Sequence, residues 1–218
     1  TASGSVFLGA DAGGTVTTGN QNIAIGYDAM KGATTTGDNN IAVGVSAGDA
    51  LTSGFLNIAI GGKAGSAINT GNTNTVIGFQ SGLSLTTASG SVSIETSAMA
   101  IATTGNNNIA IGNAAANGGN TTGDNNIAIG TTAGDALTSG KTNILMGFLA
   151  GLDITTGNEN TVVGSRALGT ATTATFNVAI GGDAMFGVPS GQAVSGVVAV
   201  GLEALKGTVN TTTAVDNS

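Results

Sequence analysis

The chain has 218 residues, of which 38 are glycine, one is proline and none is tryptophan, histidine or cysteine. Only 8% are charged, for a net charge of −7. Lack of His and Cys removes the imidazole base, the thiol nucleophile, disulfides and most transition-metal sites. The five basic residues, Lys31, Lys63, Lys141, Arg166 and Lys206, are scattered, and nucleic-acid binding wants a clustered basic face. No apolar run reaches the length of a membrane span and no signal peptide is visible, so membrane insertion is not expected in this segment. The 40% apolar fraction is mostly Ala, Val and Ile, which suits thin regular layers rather than an aromatic-filled core. Abundant Gly, Ser, Thr and Asn often mark flexible chain. Against that, mean hydropathy is +0.30 and the Ile and Val residues fall at fixed spacing.

In chain order, a first unit ends at Gly9, and the pattern Asn-Ile-Ala-Ile-Gly then stands at 22–26. It returns as NIAVG at 40–44, NIAIG at 57–61, NTVIG at 74–78, NIAIG at 108–112 and 126–130, NILMG at 143–147, NTVVG at 160–164 and NVAIG at 177–181. The closing glycines lie 17 or 18 residues apart, except for 34 between Gly78 and Gly112 and 20 before Gly201. SVSIE at 91–95 fills the long gap, with Glu95 in the place of glycine, which makes twelve units. Three residues after each closing position stands Ala, or Ser81 in one unit. Thr-Thr-Gly or Thr-Ser-Gly turn segments precede most units. TTGDNNIAVG at 35–44 and AGDALTSG at 47–54 return 86 residues later, so 19–104 and 105–190 read as duplicated blocks of five units. The chain reads as one repeat domain, 1–218, with a bulged last turn at 182–201 around Pro189. It starts at Thr1 without Met and shows no obvious cap at Thr1–Val6 or Thr208–Ser218, which reads as a piece of a longer parent.

A period near seventeen is too short for a helix pair and suits one turn of a parallel β-solenoid, about twelve turns of 17–18 residues in an all-β chain. Within a unit, Ile23 and Ile25 alternate with Asn22 and Ala24, so the two sets face opposite ways. The larger isoleucines are expected to fill the coil. The Asn column (Asn22, Asn40, Asn57, Asn74, Asn108, Asn126, Asn143, Asn160, Asn177) is expected to form a side-chain ladder. The opposite face carries Ala24, Ala42, Ala59, Val76, Ala110, Ala128, Leu145, Val162, Ala179 and Ala199. A strand apolar on both faces is buried on both, so this column is expected to meet other copies of the chain around an oligomer axis.

NIAIG followed by Ala three residues later resembles the head repeats of YadA-like trimeric autotransporter adhesins. AIGYDAM (24–30), VGSRAL (163–168) and VGLEAL (200–205) are similar to repeats of bacteriophage tail fibres. The resemblance covers nearly the whole chain. It implies a left-handed β-roll wound as a homotrimer. The turn is longer than in adhesin heads, and no heptad stalk, neck or membrane-anchor barrel stands in these residues.

Catalysis finds little material. Ile25–Ala29 matches one hexad of left-handed acyltransferase coils, which rely on a histidine this chain lacks. The acids, Asp11, Asp28, Asp38, Asp49, Asp124, Asp135, Asp153, Asp183, Asp216, Glu95, Glu159 and Glu203, fall mostly at turns, as solvated decoration rather than a glycosidase pair. Gly37–Asn40 and Gly123–Asn126 are oxygen-rich but read as turns, not calcium loops. Glu95 reads as drift after duplication rather than a cation site shared by three copies. Thr pairs such as Thr35-Thr36 are adjacent, not at i and i+2, which argues against an ice-binding face. No enzyme activity, metal or cofactor is expected. The expected function is a non-enzymatic attachment protein: an extracellular rod or head segment of a virion tail fibre or bacterial surface adhesin. It would present its turns to a host-surface glycan or protein, with Tyr27, Phe79 and Phe148 as contacts. A purely structural filament or spacer, or an ice-binding β-solenoid, is the alternative.

Overall fold

A computed structural model of the protein describes residues 3–189 and 194–207. Residues 1–2, 190–193 (within the last turn expected to bulge) and 208–218 lie outside the described residues. The chain is all-β, with twelve three-residue strands: β1 (Val6–Leu8), β2 (Ile23–Ile25), β3 (Ile41–Val43), β4 (Ile58–Ile60), β5 (Thr75–Ile77), β6 (Val92–Ile94), β7 (Ile109–Ile111), β8 (Ile127–Ile129), β9 (Ile144–Met146), β10 (Thr161–Val163), β11 (Val178–Ile180) and β12 (Val198–Val200). They are parallel and form a β-solenoid of about 11 turns, the full turns that twelve repeats enclose. The chain divides into two compact units, Thr1–Asn108 and Ile109–Ser218. In the first, β1 to β6 pair in chain order; in the second, β7 to β12 do. Registers match the repeat, with Ile23 beside Ile41, Ala24 beside Ala42 and Ile25 beside Val43.

The closing glycine ends each strand for two reasons. Its φ is near +130°, as at Gly26 (+130°) and Gly44 (+136°), a region essentially closed to other residues. The next turn also stacks against it: a Cβ on Gly44 would stand 2.5 Å from the Gly61 carbonyl oxygen. Glu95 occupies the same place at φ 96°, with its side chain exposed.

The structure reverses the expected assignment of faces. Ala24, Ala42, Ala59, Val76, Ala110, Ala128, Leu145, Val162, Ala179 and Ala199 are buried inside the coil of a single chain. Ile23, Ile25 and their equivalents point outward and are half-buried or exposed. The Ala column is therefore covered by its own coil and does not form an oligomer axis. The reason is volume. A coil of seventeen residues is thin, and the second Ala column (Ala29, Ala47, Ala64 and equivalents) is buried in the same interior. Two facing Ala columns leave no room for two isoleucines per turn.

What remains of the interior takes, in most turns, one large side chain, supplied from either of two positions. Four residues after the closing position stands Gly48, Gly65, Gly82, Gly134 or Gly151, and three further on a buried Leu51, Ile68, Leu85, Leu137 or Ile154. Elsewhere the first position holds buried Met30, Met99, Leu168 or Met185, and the second holds Ala33, Ala102, Ala171 or Val188. Two turns depart from this: Ala116 with Gly119, both small, and Met185 with Val188, both large and buried. The two positions compete for one space: a Cβ on Gly65 would lie 2.7 Å from Ile68 Cδ1, and one on Gly82 2.8 Å from Leu85 Cδ1. The first position is left-handed whichever residue fills it, with φ 53° at both Gly65 and Met30. Where polar residues replace both Ala columns, they satisfy each other: Ser81 Oγ lies 2.7 Å from Ser93 Oγ, and Ser93 Oγ donates to the Ala98 carbonyl at 2.7 Å.

The Asn column shares the inner face with Ala and is buried throughout. Asn57 donates from Nδ2 to Asn40 Oδ1 at 3.1 Å and to the Gly71 carbonyl at 2.8 Å. Its own Oδ1 accepts from Asn74 N–H and Nδ2, both at 3.0 Å. Asn143 and Asn160 repeat this in the second unit. The carboxamides thus join neighbouring turns and tie the start of a strand to a turn carbonyl, that of a glycine such as Gly54, Gly71 or Gly157, or of Ala88, Ala174 or Val194.

Two stability outcomes follow from these contacts. Gly65→Met alone overpacks the interior and Ile68→Ala alone leaves a cavity, each destabilising by about 2 kcal/mol or more. The double substitution reproduces the Met30–Ala33 arrangement and stays within about 1.5 kcal/mol of the parent; urea denaturation of the full cycle measures the coupling. Asn57→Ala strands buried groups on both adjacent turns and costs at least about 3 kcal/mol. Asn57→Ser, the solution found at Ser91, costs less on the same urea scale.

Candidate functional site

With Ala and Asn inside, the surface available for recognition is the outer face of the strands and the turns beside it. In the first unit the outer columns read Val6, Ile23, Ile41, Ile58, Thr75, Val92 and Leu8, Ile25, Val43, Ile60, Ile77, Ile94. In the second they read Ile109, Ile127, Ile144, Thr161, Val178, Val198 and Ile111, Ile129, Met146, Val163, Ile180, Val200. Branched side chains suit the pleat, and in-register stacking gives each partial cover from its neighbours. The result is an aliphatic stripe in each unit, two residues wide, with no charged side chain in either column.

The rings expected to make contacts lie one residue beyond the closing glycine, beside this stripe. Tyr27 is 55% exposed, Phe79 55% and Phe148 54%, so none is packed into the coil. Within the first unit, Tyr27 and Phe79 are not brought together. Tyr27 and Phe79 sit three turns apart, roughly 14 Å at the strand spacing. Lys31 Nζ stands 6.0 Å from the Tyr27 ring centroid. Phe79 leans over the preceding turn, where a Cβ on Gly62 would meet its ring at 3.3 Å.

Charges form two inter-turn clusters on the turns. Lys31 Nζ bonds Asp11 at 2.8 Å and Asp28 at 2.9 Å. Asp183 Oδ2 accepts from Arg166 Nη2 and Lys206 Nζ, each at 2.7 Å. The hydrogen bonds from Lys206 and then Arg166 hold the Asp183 carboxyl below its ordinary range against the opposing effect of desolvation. Asp11, Asp28, Asp183, Arg166 and Glu203 all occupy the second position after the closing residue, where φ is near +55°. Arg166 meets Asp183 within this column, while Lys31 and Lys206 bridge the like-charged neighbours Asp11 with Asp28 and Asp183 with Glu203 from outside it. Among the described residues, no group of three or more acids converges as a metal site would require. No helix there is long and apolar enough to cross a membrane.

The turn threonines are engaged by the fold. Thr52 Oγ1 donates to the Asn69 carbonyl at 3.0 Å, Thr138 Oγ1 to Thr155 at 3.1 Å and Thr155 Oγ1 to Thr172 at 3.0 Å. Their hydroxyls bridge successive turns rather than forming an open row.

The Asp183 cluster has a pH signature. A carboxyl with a depressed folded-state pKa contributes stability above its unfolded pKa and loses it as pH falls through the folded value. Asp183→Asn therefore lowers the urea midpoint at pH 7, and the gap from the parent closes as pH drops below about 4. A gap independent of pH would assign the effect to shape rather than charge. No family model, curated protein or solved structure matches this chain.

Proposed function

We propose that this protein is a non-enzymatic fibrous attachment protein, an extracellular rod or head segment of a phage tail fibre or bacterial surface adhesin that assembles as a homotrimer. The observation that carries the reading is the aliphatic stripe on the outer face of the strands. Its side chains repeat at the strand spacing, about 4.8 Å, along six turns of each unit. Only a surface with the same period keeps such a stripe in contact along its length, and another copy of the chain supplies one. The assembly face is thus the Ile and Val columns, not the Ala column that the sequence pattern suggested. Three copies present each exposed turn three times, which raises avidity for a glycan or protein on a host surface. The left-handed β-roll implied by the adhesin resemblance belongs to the same proposal. The engaged threonine hydroxyls favour this reading over an ice-binding face.

Light scattering behind a sizing column tests the assembly: the expected mass is three times the chain mass of 20.7 kDa. Ile41→Glu with Ile58→Glu places charges in the stripe and yields monomers. Lys63→Glu, on an exposed turn, leaves the assembly intact. A monomeric parent chain overturns the trimer. Retention of the labelled trimer on a panel of intact bacterial cells tests attachment; a trimer that leaves every cell bare is a spacer.

A further inference from the structure

We propose that a groove on the first unit is a binding site for a neutral pyranose sugar. The inference rests on the glycan-attachment reading above and specifies the ligand class. The groove has a volume of about 320 Å³ and lies between the chain segments that lead into β3 and β4. Phe55 and Leu56 form its apolar part, and Thr36, Asp38, Asn39 and Ser53 its polar part.

The apolar pair has no role inside the fold. Phe55 is 45% exposed and Leu56 51%. Leu56 is held at φ 56°, where an exposed aliphatic residue gains nothing in stability. The same position in other repeats carries mainly polar residues, Gln21, Asn39, Thr73, Asn107, Asn125, Thr142 and Glu159, with Phe176 the other exposed apolar one, all at similar φ. The backbone beneath the pair is fixed from both sides: Phe55 N–H donates to Asn72 Oδ1 at 3.0 Å, and Leu56 N–H to the Asp38 carbonyl at 3.1 Å. The Asp38 carboxylate is oriented by the Asn20 N–H, 2.6 Å from Oδ1. Asn39, Thr36 and Ser53 are exposed at the rim.

This is the chemistry a pyranose presents in reverse. One face of the sugar carries C–H groups that stack on an aromatic ring, and its edge carries hydroxyls. A carboxylate accepts from adjacent hydroxyls, while a carboxamide and alcohols both donate and accept. Small-ligand sites combine apolar surface with a few fixed polar groups; here the apolar pair Phe55 and Leu56 faces four polar residues. The carboxylate, with no cation among the lining residues, selects against acidic sugars.

The duplication supplies an internal control. Eighty-six residues on, Thr122, Gly123, Asp124, Asn125 and Ser139 repeat the polar set without change. Phe55 and Leu56 are replaced by Lys141 and Thr142, and Lys141 Nζ stands 3.8 Å from Asp124 Oδ2. Ordinary turn chemistry is thus complete without the apolar pair, and of these two equivalent turns only that of the first block carries both halves of a sugar site.

The test is ¹⁵N amide NMR of the full chain titrated with methyl β-galactoside, methyl α-mannoside and N-acetylglucosamine, with N-acetylneuraminic acid as the acidic comparison. At least one neutral sugar is expected to shift amides of residues 36–39 and 53–56, and the acidic sugar to leave them unmoved. Phe55→Lys with Leu56→Thr, the residues the second block tolerates, weakens binding by roughly tenfold or more with an unchanged circular dichroism spectrum. Lys141→Phe with Thr142→Leu adds shifts at 122–125 and 139–142. Absence of shifts with all three neutral sugars overturns the proposal, as does binding that survives the first double substitution or a second that creates no new site. Cell retention of the trimer separates the two readings. Trimers that coat cells equally with and without Phe55 and Leu56 remove the sugar site and leave attachment standing. Sugar shifts in a protein that coats no cell do the reverse.

Discussion

The buried asparagine column is the constraint on which the rest of the coil depends. A strand of three residues makes too few ladder bonds to hold a turn in place, and its neighbours are no longer. The carboxamide supplies what the strand lacks. From one side chain it accepts from the next turn, donates to the previous one and closes the coil onto a distant carbonyl, as Asn57 does with Asn74, Asn40 and Gly71. Because every group is buried, omission at one turn leaves unmet donors and acceptors on two others. Where the column departs from Asn, the backbone still meets the preceding carboxamide, as Val197 N–H does by donating to Asn177 Oδ1. Ser91 takes the place of Asn by accepting from Asn108 N–H while its own N–H donates to Asn74 Oδ1.

The thin interior explains the composition. A space bounded by two Ala columns has room for about one large side chain per turn, so the chain is rich in Gly and Ala and contains no Trp. Aromatic rings that a globular core would enclose stand outside, as Tyr27, Phe55, Phe79, Phe148 and Phe176 do. The exchange between Gly65–Ile68 and Met30–Ala33 shows that volume, not residue identity, is what each turn must match. The left-handed backbone at the first of these positions is imposed by the turn, and Met and Leu accept it because their side chains are buried in return.

With the coil closed by its own Ala columns, the outer face is released for contacts beyond the chain. That shifts the weight of the functional reading from the inside of the repeat to its Ile and Val columns and to the turns beside them. The charged turns contribute differently. Lys31 with Asp11 and Asp28, and Asp183 with Arg166 and Lys206, link successive turns at the surface, where ion pairs are weak singly and gain by sharing partners. The duplicated blocks kept the polar turn at 36–39 and 122–125 but diverged at 55–56 and 141–142. Difference between copies, rather than repetition, is where the surface acquires individuality.

By itself the sequence determined the period, the twelve strands, their parallel stacking and the place of the closing glycine. Those follow from local chemistry repeated in step: an Asn, two β-branched residues two apart, then a residue able to take φ near +130°. It also showed that the strand has two unlike faces. Which face is enclosed was decided only by the tertiary structure. Both sets are apolar, so alternation could not rank them, and reasoning from hydrophobicity alone placed the larger Ile side chains inside. Enclosure depends on the volume left when a seventeen-residue coil closes on itself, and that volume fits Ala24 and Ala29 but not Ile23 and Ile25. The sequence did hold a clue, in the reciprocal sizes at positions such as 65 and 68 or 30 and 33, which only a shared interior space requires. The groove at Phe55 was less legible, because it is made by residues of two successive turns and exists only once they stack.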